Sequence, residues 1–397
     1  MGESDWTRIG DHLRALVGLE PGEREAYIAR VAAGDERLVE ELRSLLPYAE
    51  QASGPLDGAA SELAFSAPFD LVGKTVGSYR IIERIGIGGM GVVYRASRSD
   101  QNFELDVAVK FLSPGGLDEE GQRRFQRERQ ILARLDHPHI ARLLDAGSLE
   151  GCGPYVVMEL VSGRPIDLYV EQEKPSLPEV LRLFGKVCQA VQAAHQQLVV
   201  HRDIKPSNVL VDEEGQPKLL DFGIAKLIDD SSARDGQQTI TRLMTPRYAA
   251  PEQLEGQTIT VATDVYALGV LLYKLLTGSS PYAVDLDNVA RLHEAILEGR
   301  IRPASRAARQ AGRSAAWVRS LEGEIDNILA MALARDPRQR YGSAVEMAAD
   351  LDAYLEGLPI RARPATASYR LRKFVRRHRA AVVAAVVVVV ALIAGSI

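Results

Sequence analysis

The chain of 397 residues is predicted to have an α+β fold, with a strand-rich region followed by a mainly helical one. Four short runs rich in Val and Ile have the alternation of antiparallel strands, and they lie at 79–86, 91–97, 106–112 and 154–160. After Gly163, apolar residues such as Leu181, Phe184 and Val187 recur at helical spacing. The composition, 46% hydrophobic and 25% charged, is that of a folded globular protein.

Composition and patterning divide the chain into five segments. Residues 1–50 predict a small helical module, and 51–76, rich in Gly, Ala, Ser and Pro, predict a linker. The strand-rich and helical regions form one domain at 77–355, followed by a basic segment at 356–379 and an uncharged apolar run at 380–397. For the first segment, an amphipathic hairpin packed on the next domain and a regulatory or docking module are both open interpretations.

Charge and cysteine content limit the functional class. The formal net charge of -5 argues against a protein that binds nucleic acid as a whole. The two cysteines, Cys152 and Cys188, are too few for a disulfide framework and fit a reducing compartment. No apolar run follows the charges at the N-terminus, so no cleavable signal peptide is expected.

The most informative motif is the string HRDIKPSN at 201–208, with the triplet DFG beginning eighteen residues after Asp203. Phosphoryl transfer requires charge neutralisation around the γ-phosphate and a hydroxyl aimed in line with it. Asp203 can serve as a base, Lys205 as a cation, and Asn208 and Asp221 as oxygen ligands of a hard divalent cation. Alone, Asp203 could equally cap a turn or form a surface ion pair, but the full string and its spacing favour the catalytic interpretation.

A glycine-rich stretch and a lysine supply a second part of this chemistry. Gly86, Gly88 and Gly91 lie between two predicted strands, where backbone amides can approach a phosphate. Such a stretch alone could be an ordinary turn, but a strand rather than a helix follows it, which argues against a dinucleotide fold. Lys110 comes nineteen residues after Gly91 on an apolar strand. A lysine there is costly unless it is paired, the alternative being a side chain that snorkels to solvent.

Together these motifs resemble the eukaryotic-like (Hanks-type) serine/threonine protein kinases found in bacteria, over roughly 77–355. The resemblance implies a bilobal protein kinase fold that uses ATP and Mg²⁺, although Mn²⁺ would also fit. It gives Asp203 the role of base and Lys205 that of γ-phosphate contact, and the Asp-x-Lys order implies Ser/Thr acceptors on protein substrates. In the family register, Glu128 pairs with Lys110.

Further site residues are assigned by the same resemblance. Met158 would stand at the back of the adenine pocket, and Glu159 and Val161 would bind the adenine edge through their backbones. The nucleotide-binding residues it implies are Ile85, Gly86, Ile87, Gly88, Gly89, Met90, Gly91, Val93, Ala108, Lys110, Glu159, Val161 and Leu210. Outside the catalytic set, Glu252 would pair with Arg340, and Asp264 would brace the backbone of the catalytic loop.

The hydroxyl-rich stretch 224–249 corresponds to the activation segment of the family. Thr239 and Thr241 are the favoured phosphosites, with Ser231 and Ser232 as further candidates. A phosphate there could form charge-assisted hydrogen bonds with Arg202 and order the segment, so we expect autophosphorylation. A homodimer in which one copy phosphorylates the other is an open alternative to a monomer.

The C-terminal run at 380–397 predicts a membrane anchor. Its eighteen residues carry no charge and include five consecutive valines. As a helix they would span about 27 Å, just under the ~30 Å hydrocarbon core. We expect a single transmembrane helix, with a buried soluble helix as the alternative. We expect the basic flank before this run to stay in the cytoplasm together with the preceding domain, the flank being Arg370, Arg372, Lys373, Arg376, Arg377 and Arg379. We also expect the chain to continue past Ile397, a tail-anchored protein being the alternative.

Two other functions are compatible with parts of the pattern. A signalling scaffold that binds nucleotide without catalysis would keep the fold but would be expected to lose Lys110, Asp203 or Asp221, and all three are present. A small-molecule phosphotransferase on a related fold is disfavoured by the Ala-Pro-Glu triplet at 250–252 and by the hydroxyl-rich segment before it.

Overall fold

The structure is a computed structural model that describes most of the predicted catalytic domain. The described residues are 71–88, 91–98, 105–112, 134–149, 152–222, 246–284 and 288–363, with the single positions 16, 27, 28, 31, 132, 366, 368, 369, 371, 373 and 375. Apart from those single positions, the predicted module at 1–50 lies outside this range, as does the apolar run at 380–397. The chain divides into two compact units.

The first unit contains the described residues up to Arg134 together with Arg142–Leu160. Its strands are β1 (Thr75–Val76), β2 (Tyr79–Gly88), β3 (Gly91–Arg98), β4 (Asp106–Leu112), β5 (Leu143–Leu149) and β6 (Gly153–Glu159). They form one antiparallel sheet in the order β1-β2-β3-β4-β6-β5. All four strands predicted from the alternating runs are present.

The alternation along β4 gives this sheet two different faces. Val107, Val109 and Phe111 are buried in an apolar cluster that includes Tyr94 and Tyr155 from the neighbouring strands. The Phe111 ring meets Tyr94 edge-on, with the ring centroids 5.9 Å apart. Because successive side chains of a strand point to opposite faces, Ala108 and Lys110 lie on the other face. That face carries the predicted nucleotide-binding residues of β4.

The second unit contains Leu135–Ala141 and the described residues from Val161 onward. Its helices are α1 (Ile166–Glu173), α2 (Leu177–Gln196), α3 (Pro251–Leu254), α4 (Val261–Thr277), α5 (Val289–Glu298), α6 (Ala304–Gln310), α7 (Ala315–Leu321), α8 (Glu324–Ala332) and α9 (Ala344–Leu355). A small antiparallel sheet joins β7 (Gly163–Pro165), β8 (Val209–Asp212) and β9 (Pro217–Leu219) in that order. A strand-rich unit and a helical unit are the two parts expected for the bilobal fold.

Two long helices form the centre of the helical unit, and each has clear end signals. The N–H and the hydroxyl of Ser176 both donate to the carboxylate of Glu179 at 2.7 Å, a capping interaction that starts α2. The Thr260 hydroxyl caps α4, which ends at Gly278 with φ at 75°. The apolar faces of α2 and α4 meet in a single large core, and α4 thereby becomes the rigid support of the loop that contains Asp203.

The chain after α9 is fastened to the helical unit at two places. The buried carboxylate of Asp350 accepts the N–H groups of Arg361 at 2.7 Å and Ala362 at 2.9 Å. Further on, the Tyr369 hydroxyl donates to Glu324 at 2.6 Å, and Lys373 donates to the other oxygen of the same carboxylate at 2.6 Å. Tyr369 is only 2% exposed, so at least the start of the basic segment at 356–379 packs against the domain.

Within the described ranges, no helix combines the length and the apolar character needed to cross a membrane.

Candidate active site

The glycine-rich stretch forms the hairpin between β2 and β3, in which Gly88 pairs with Gly91. Gly91 has φ at 140°, and a Cβ atom there would lie 1.8 Å from the carbonyl oxygen of Phe111 on β4. Only glycine fits this position without moving the backbone of β4. Gly89 and Met90, which come between these two strands in the sequence, lie outside the described residues.

Three predicted nucleotide-binding residues of the first unit, Val93, Ala108 and Lys110, share one sheet face, whereas Ile87 packs against the apolar cluster on the other face. Val93 on β3 lies directly opposite Lys110 on β4, and Ala108 lies opposite Met158 on β6. Lys110 is 7% exposed, so its ammonium group does not snorkel to solvent. The predicted partner, Glu128, lies outside the described residues, and the pairing stays a prediction.

The end of β6 refines the prediction for the adenine edge. The Glu159 N–H donates to the carbonyl of Arg142 at 2.9 Å, and the Glu159 carboxylate accepts the Arg142 N–H at 3.2 Å. Since the amide of Glu159 is used within the unit, a base edge would have to contact its carbonyl oxygen. Val161 precedes β7, and Leu210 lies half-buried on β8, both in the helical unit.

Two predicted catalytic residues and a predicted metal ligand meet in the second unit. Lys205 Nζ lies 2.9 Å from Oδ2 of Asp203, and Asn208 Nδ2 donates to the same oxygen at 3.1 Å and to the Asp203 carbonyl at 2.8 Å. Asp203 and Asn208 are each 7% exposed. A carboxylate held between an ammonium and an amide is kept in one orientation, as a base that receives a hydroxyl proton must be.

The same bonds determine what Asn208 can offer a metal ion. Its Nδ2 atom makes both contacts with Asp203, so the amide orientation is fixed and Oδ1 is the atom available as a ligand. Asp221 supplies carboxylate oxygens and has a left-handed backbone with φ at 51°. Amide and carboxylate oxygens are the donors that Mg²⁺ prefers, so the donor set fits the predicted ion.

Asp264 on α4 holds the backbone of the catalytic loop, as predicted. Its Oδ2 accepts the His201 N–H at 2.8 Å, and its Oδ1 accepts the Arg202 N–H at 2.9 Å. His195 Nε2 donates a third bond to Oδ2 at 2.7 Å. His195 was not predicted, because it reads as one more position on the buried face of α2 and its partner is 69 residues away.

His201 is fully buried and its two ring nitrogens have different tasks. Nε2 donates to the Leu220 carbonyl at 2.8 Å, so Nδ1 is left to accept the Asp203 N–H at 3.3 Å. This arrangement requires the neutral ring. Burial lowers the pKa of His201, although the charge of Asp264 acts in the opposite direction. Its ring also lies 4.9 Å from the ring of Phe222, which ties the loop to the residue after Asp221.

The predicted ion pair of Glu252 and Arg340 is confirmed. Arg340 donates to both carboxylate oxygens at 2.7 and 2.8 Å, and neither side chain has more than 2% exposure. Desolvation opposes ionisation of Glu252, but its bonds to Arg340 leave the pKa below the usual value. The neighbouring Gln253, also not predicted, is buried and donates to the Arg202 carbonyl. The candidate phosphosites Thr239 and Thr241, like Ser231 and Ser232, lie outside the described residues.

Comparison with known proteins adds independent information. Residues 79–350 match the protein kinase domain family. The chain is 37% identical over 286 residues to the serine/threonine-protein kinase PknB of Mycobacterium tuberculosis, covering 71% of this chain and 43% of that protein. It is 36% identical to the serine/threonine-protein kinase PrkC of Bacillus subtilis, covering 71% of this chain and 41% of that protein.

A solved structure is similar over the same extent. The crystal structure of the PknI kinase domain of M. tuberculosis matches with a TM-score of 0.53 and 29% identity, covering 71% of this chain and 98% of that one. The chain spans less than half the length of the curated relatives it matches.

Proposed function

The chain belongs to the protein kinase family, and on that premise we propose that it transfers the γ-phosphoryl group of ATP to Ser or Thr hydroxyls of protein substrates in signal transduction. The observation that carries the proposal is the cluster of Asp203, Lys205 and Asn208, in which Asp203 and Asn208 are buried. It combines a base, a cation and a metal ligand in the geometry that phosphoryl transfer needs.

Each residue of the cluster has a role that follows from its contacts. Asp203 orients the acceptor hydroxyl and takes its proton, because Lys205 and Asn208 both contact its Oδ2 atom and fix the orientation of the carboxylate. Lys205, which lies beside that carboxylate, places a positive charge where the transferred phosphoryl develops charge. Lys110 is assigned to the α and β phosphates, and its burial on an apolar strand supports that assignment.

The proposed activity also uses a divalent cation, for which this unit supplies oxygen ligands. Asn208 Oδ1 and the Asp221 carboxylate would hold Mg²⁺, or Mn²⁺, and the bound ion would neutralise charge on the phosphate oxygens.

Finer parts of the proposal rest on the sequence. We include autophosphorylation at Thr239 or Thr241, supported by the hydroxyl-rich segment and by Arg202 next to the base. We also include a single membrane span at 380–397 with the kinase domain in the cytoplasm, supported by the uncharged run and the basic residues before it.

One assay tests the activity. The full chain is incubated with γ-labelled ATP, Mg²⁺ and a generic protein substrate, and label is followed on Ser, Thr and Tyr by phosphoamino-acid analysis. We expect label on Ser or Thr, and a loss of about a hundredfold or more in Asp203→Asn. Asp212→Asn is the matched control, since this carboxylate in the same unit caps a turn by accepting the Gln216 N–H and lies outside the catalytic loop.

The other outcomes separate the alternatives. Nucleotide binding without any transfer would indicate a signalling scaffold and would reject the proposal. Transfer only to small molecules would indicate a small-molecule phosphotransferase. Equal activity in Asp203→Asn and the wild type would remove the assigned base, and peptide mass spectrometry of the labelled chain tests Thr239 and Thr241 in the same samples.

A further inference from the structure

Arg202, the residue before the proposed base, has a backbone conformation that few residues with a side chain adopt. Its φ is 65°, in the left-handed region. Such a conformation persists only where the surrounding structure holds it in place. The two peptide groups that flank Arg202 must therefore be fixed from outside the loop, and the orientation of Asp203 depends on that fixation.

Two buried side chains hold these two peptide groups. On the N-terminal side, the Arg202 N–H donates to Asp264 Oδ1 at 2.9 Å. On the C-terminal side, the Arg202 carbonyl accepts a hydrogen bond from Gln253 Nε2 at 3.1 Å. The second contact fixes the peptide group that leads directly into Asp203.

Gln253 is itself held at its other end. Its Oε1 accepts the Ala250 N–H at 3.0 Å, and the side chain is 4% exposed. Because both ends of the amide are used, its orientation is determined and it cannot rotate to another partner. The adjacent Glu252 is locked to Arg340, so the helix that carries Gln253 is anchored to the body of the unit.

We infer that Gln253 is a positioning residue for Asp203, linking helix α3 at the end of the activation segment to the carbonyl before the base. The inference rests on the proposed kinase activity and deepens it. Gln253 touches neither the substrate nor the phosphates in this role, so its loss should lower kcat while leaving both KM values nearly unchanged.

Two nearly isosteric substitutions separate the bonds. Gln253→Met removes the donor and the acceptor. Gln253→Glu keeps an oxygen for the Ala250 N–H and replaces only the donor that faces the Arg202 carbonyl. Gln257→Glu is the matched control, because this exposed glutamine on the same segment makes its side-chain bond with Glu255 and has no contact with the catalytic loop among the described residues.

The pH dependence of one variant provides the decisive measurement. In Gln253→Glu the neutral carboxylic acid can donate to the Arg202 carbonyl, whereas the carboxylate cannot, and burial favours the neutral form. The charged groups near this position are Arg202 and Asp203 from the loop and Glu252 with Arg340, and all are present in the wild type. The pH dependence of the ratio of the variant kcat to the wild-type kcat therefore reports the ionisation of the introduced carboxyl group.

We expect Gln253→Met and Gln253→Glu to lower kcat at least tenfold at pH 7.5, with KM for ATP and for the protein substrate within threefold of the wild type. The ratio for Gln253→Glu should rise several-fold between pH 7.5 and pH 5.5, and the ratio for Gln253→Met should not. Amide exchange in the peptide covering 201–205 should be faster in both variants, measured below their melting temperatures.

Several outcomes would overturn the inference. A kcat within twofold of the wild type in both variants would do so. A loss of kcat that equals the fraction of unfolded protein would also do so. The third such outcome is a kcat ratio of Gln253→Glu to the wild type that does not rise between pH 7.5 and pH 5.5. A wild type without kinase activity would instead reject the proposed function, and amide exchange would still report whether Gln253 holds the loop.

Discussion

The side chain of Arg340 is buried and makes as many hydrogen bonds as it has N–H groups. Its five N–H donors all find acceptors: two on Glu252 and one each on the carbonyls of Ala262, Ala334 and Arg335. The guanidinium also lies 4.8 Å from the ring centroid of Tyr266. A charge with this many partners is stabilised in the interior, and the loss of either Arg340 or Glu252 leaves the other charge buried and unpaired.

We therefore predict that Arg340→Ala lowers the free energy of unfolding by about 3–5 kcal/mol, because it leaves the Glu252 carboxylate buried without its counter-charge. Urea unfolding followed by circular dichroism measures the change. Arg338→Ala is the control, since that side chain is 90% exposed in its ion pair with Asp336, and its midpoint should match the wild type. A small effect for Arg340→Ala would mean that water or another cation replaces the pair.

His201 leads to a prediction on pH dependence. Its pKa in the folded protein is lowered, so the unfolded chain takes up a proton more readily, and the stability that His201 contributes above about pH 6.5 is lost as the pH falls. The slope from this group is at most about 1.4 kcal/mol per pH unit. Protonation would also remove the acceptor of the Asp203 N–H, so activity should fall with stability.

Unfolding curves between pH 7.5 and pH 5.5 test this prediction, with His201→Phe as the comparison. The variant should be less stable at pH 7.5 but should show a shallower slope. The slope that remains would come from His137 and His139, whose pKa values burial also lowers. An unchanged slope in His201→Phe would show that the ring does not govern this pH range.

The site residues that the sequence predicted and those it did not predict differ in how far along the sequence their hydrogen-bond partners lie. Asp203, Lys205 and Asn208 fall within one short string, so their proximity was predictable from spacing. His195 and Gln253 contact partners 69 and 51 residues away, and neither belongs to a spaced motif. Their roles depend on the packing of α2, α3 and α4, which no local pattern encodes.

At the scale of elements, length and burial decided what could be predicted. The four predicted strands of the first sheet are seven to ten residues long, enough for the alternation to be visible. The seven-residue strand β5 was missed, because Ala146 is its one buried residue. The small sheet was missed because β7 and β9 have three residues each, too few for any period. The contact between β7 and β8 depends on tertiary packing instead. Gly163 lies so close to β8 that a Cβ atom there would be 2.6 Å from the carbonyl oxygen of Val211.

The segment after α9 gives the prediction at this scale. Tyr369→Phe removes the hydroxyl that donates to Glu324 and accepts the Ile360 N–H, and we expect a loss of about 1–3 kcal/mol in local stability. Limited trypsin digestion followed by mass spectrometry should show faster cleavage at Lys373, which is paired with Glu324 in the wild type.

Leu371→Ala is the matched control for this digestion, because Leu371 is 63% exposed on the same segment. Its cleavage rate should equal that of the wild type. Equal rates in all three proteins would indicate that the hydroxyl does not hold the segment.

For the whole molecule, family membership and two compact units of the expected kinds agree with the fold predicted from the sequence. The span at 380–397 lies outside the described residues and stays a prediction. After expression in bacteria, the full chain should remain in the membrane pellet on carbonate extraction, since about eighteen apolar residues suffice to insert. A chain truncated after Arg379 should be released. Release of the full chain would contradict the anchor.

The clasp of Tyr369 and Lys373 on Glu324 has a mechanical consequence. If the segment after Leu355 were unattached, an extended chain could place Lys373 on the order of 60 Å from the end of α9. With the clasp closed, slack can begin only beyond Lys373. A force applied to the chain beyond Lys373 would then be borne first by Glu324 at the start of α8 and only afterwards by Asp350.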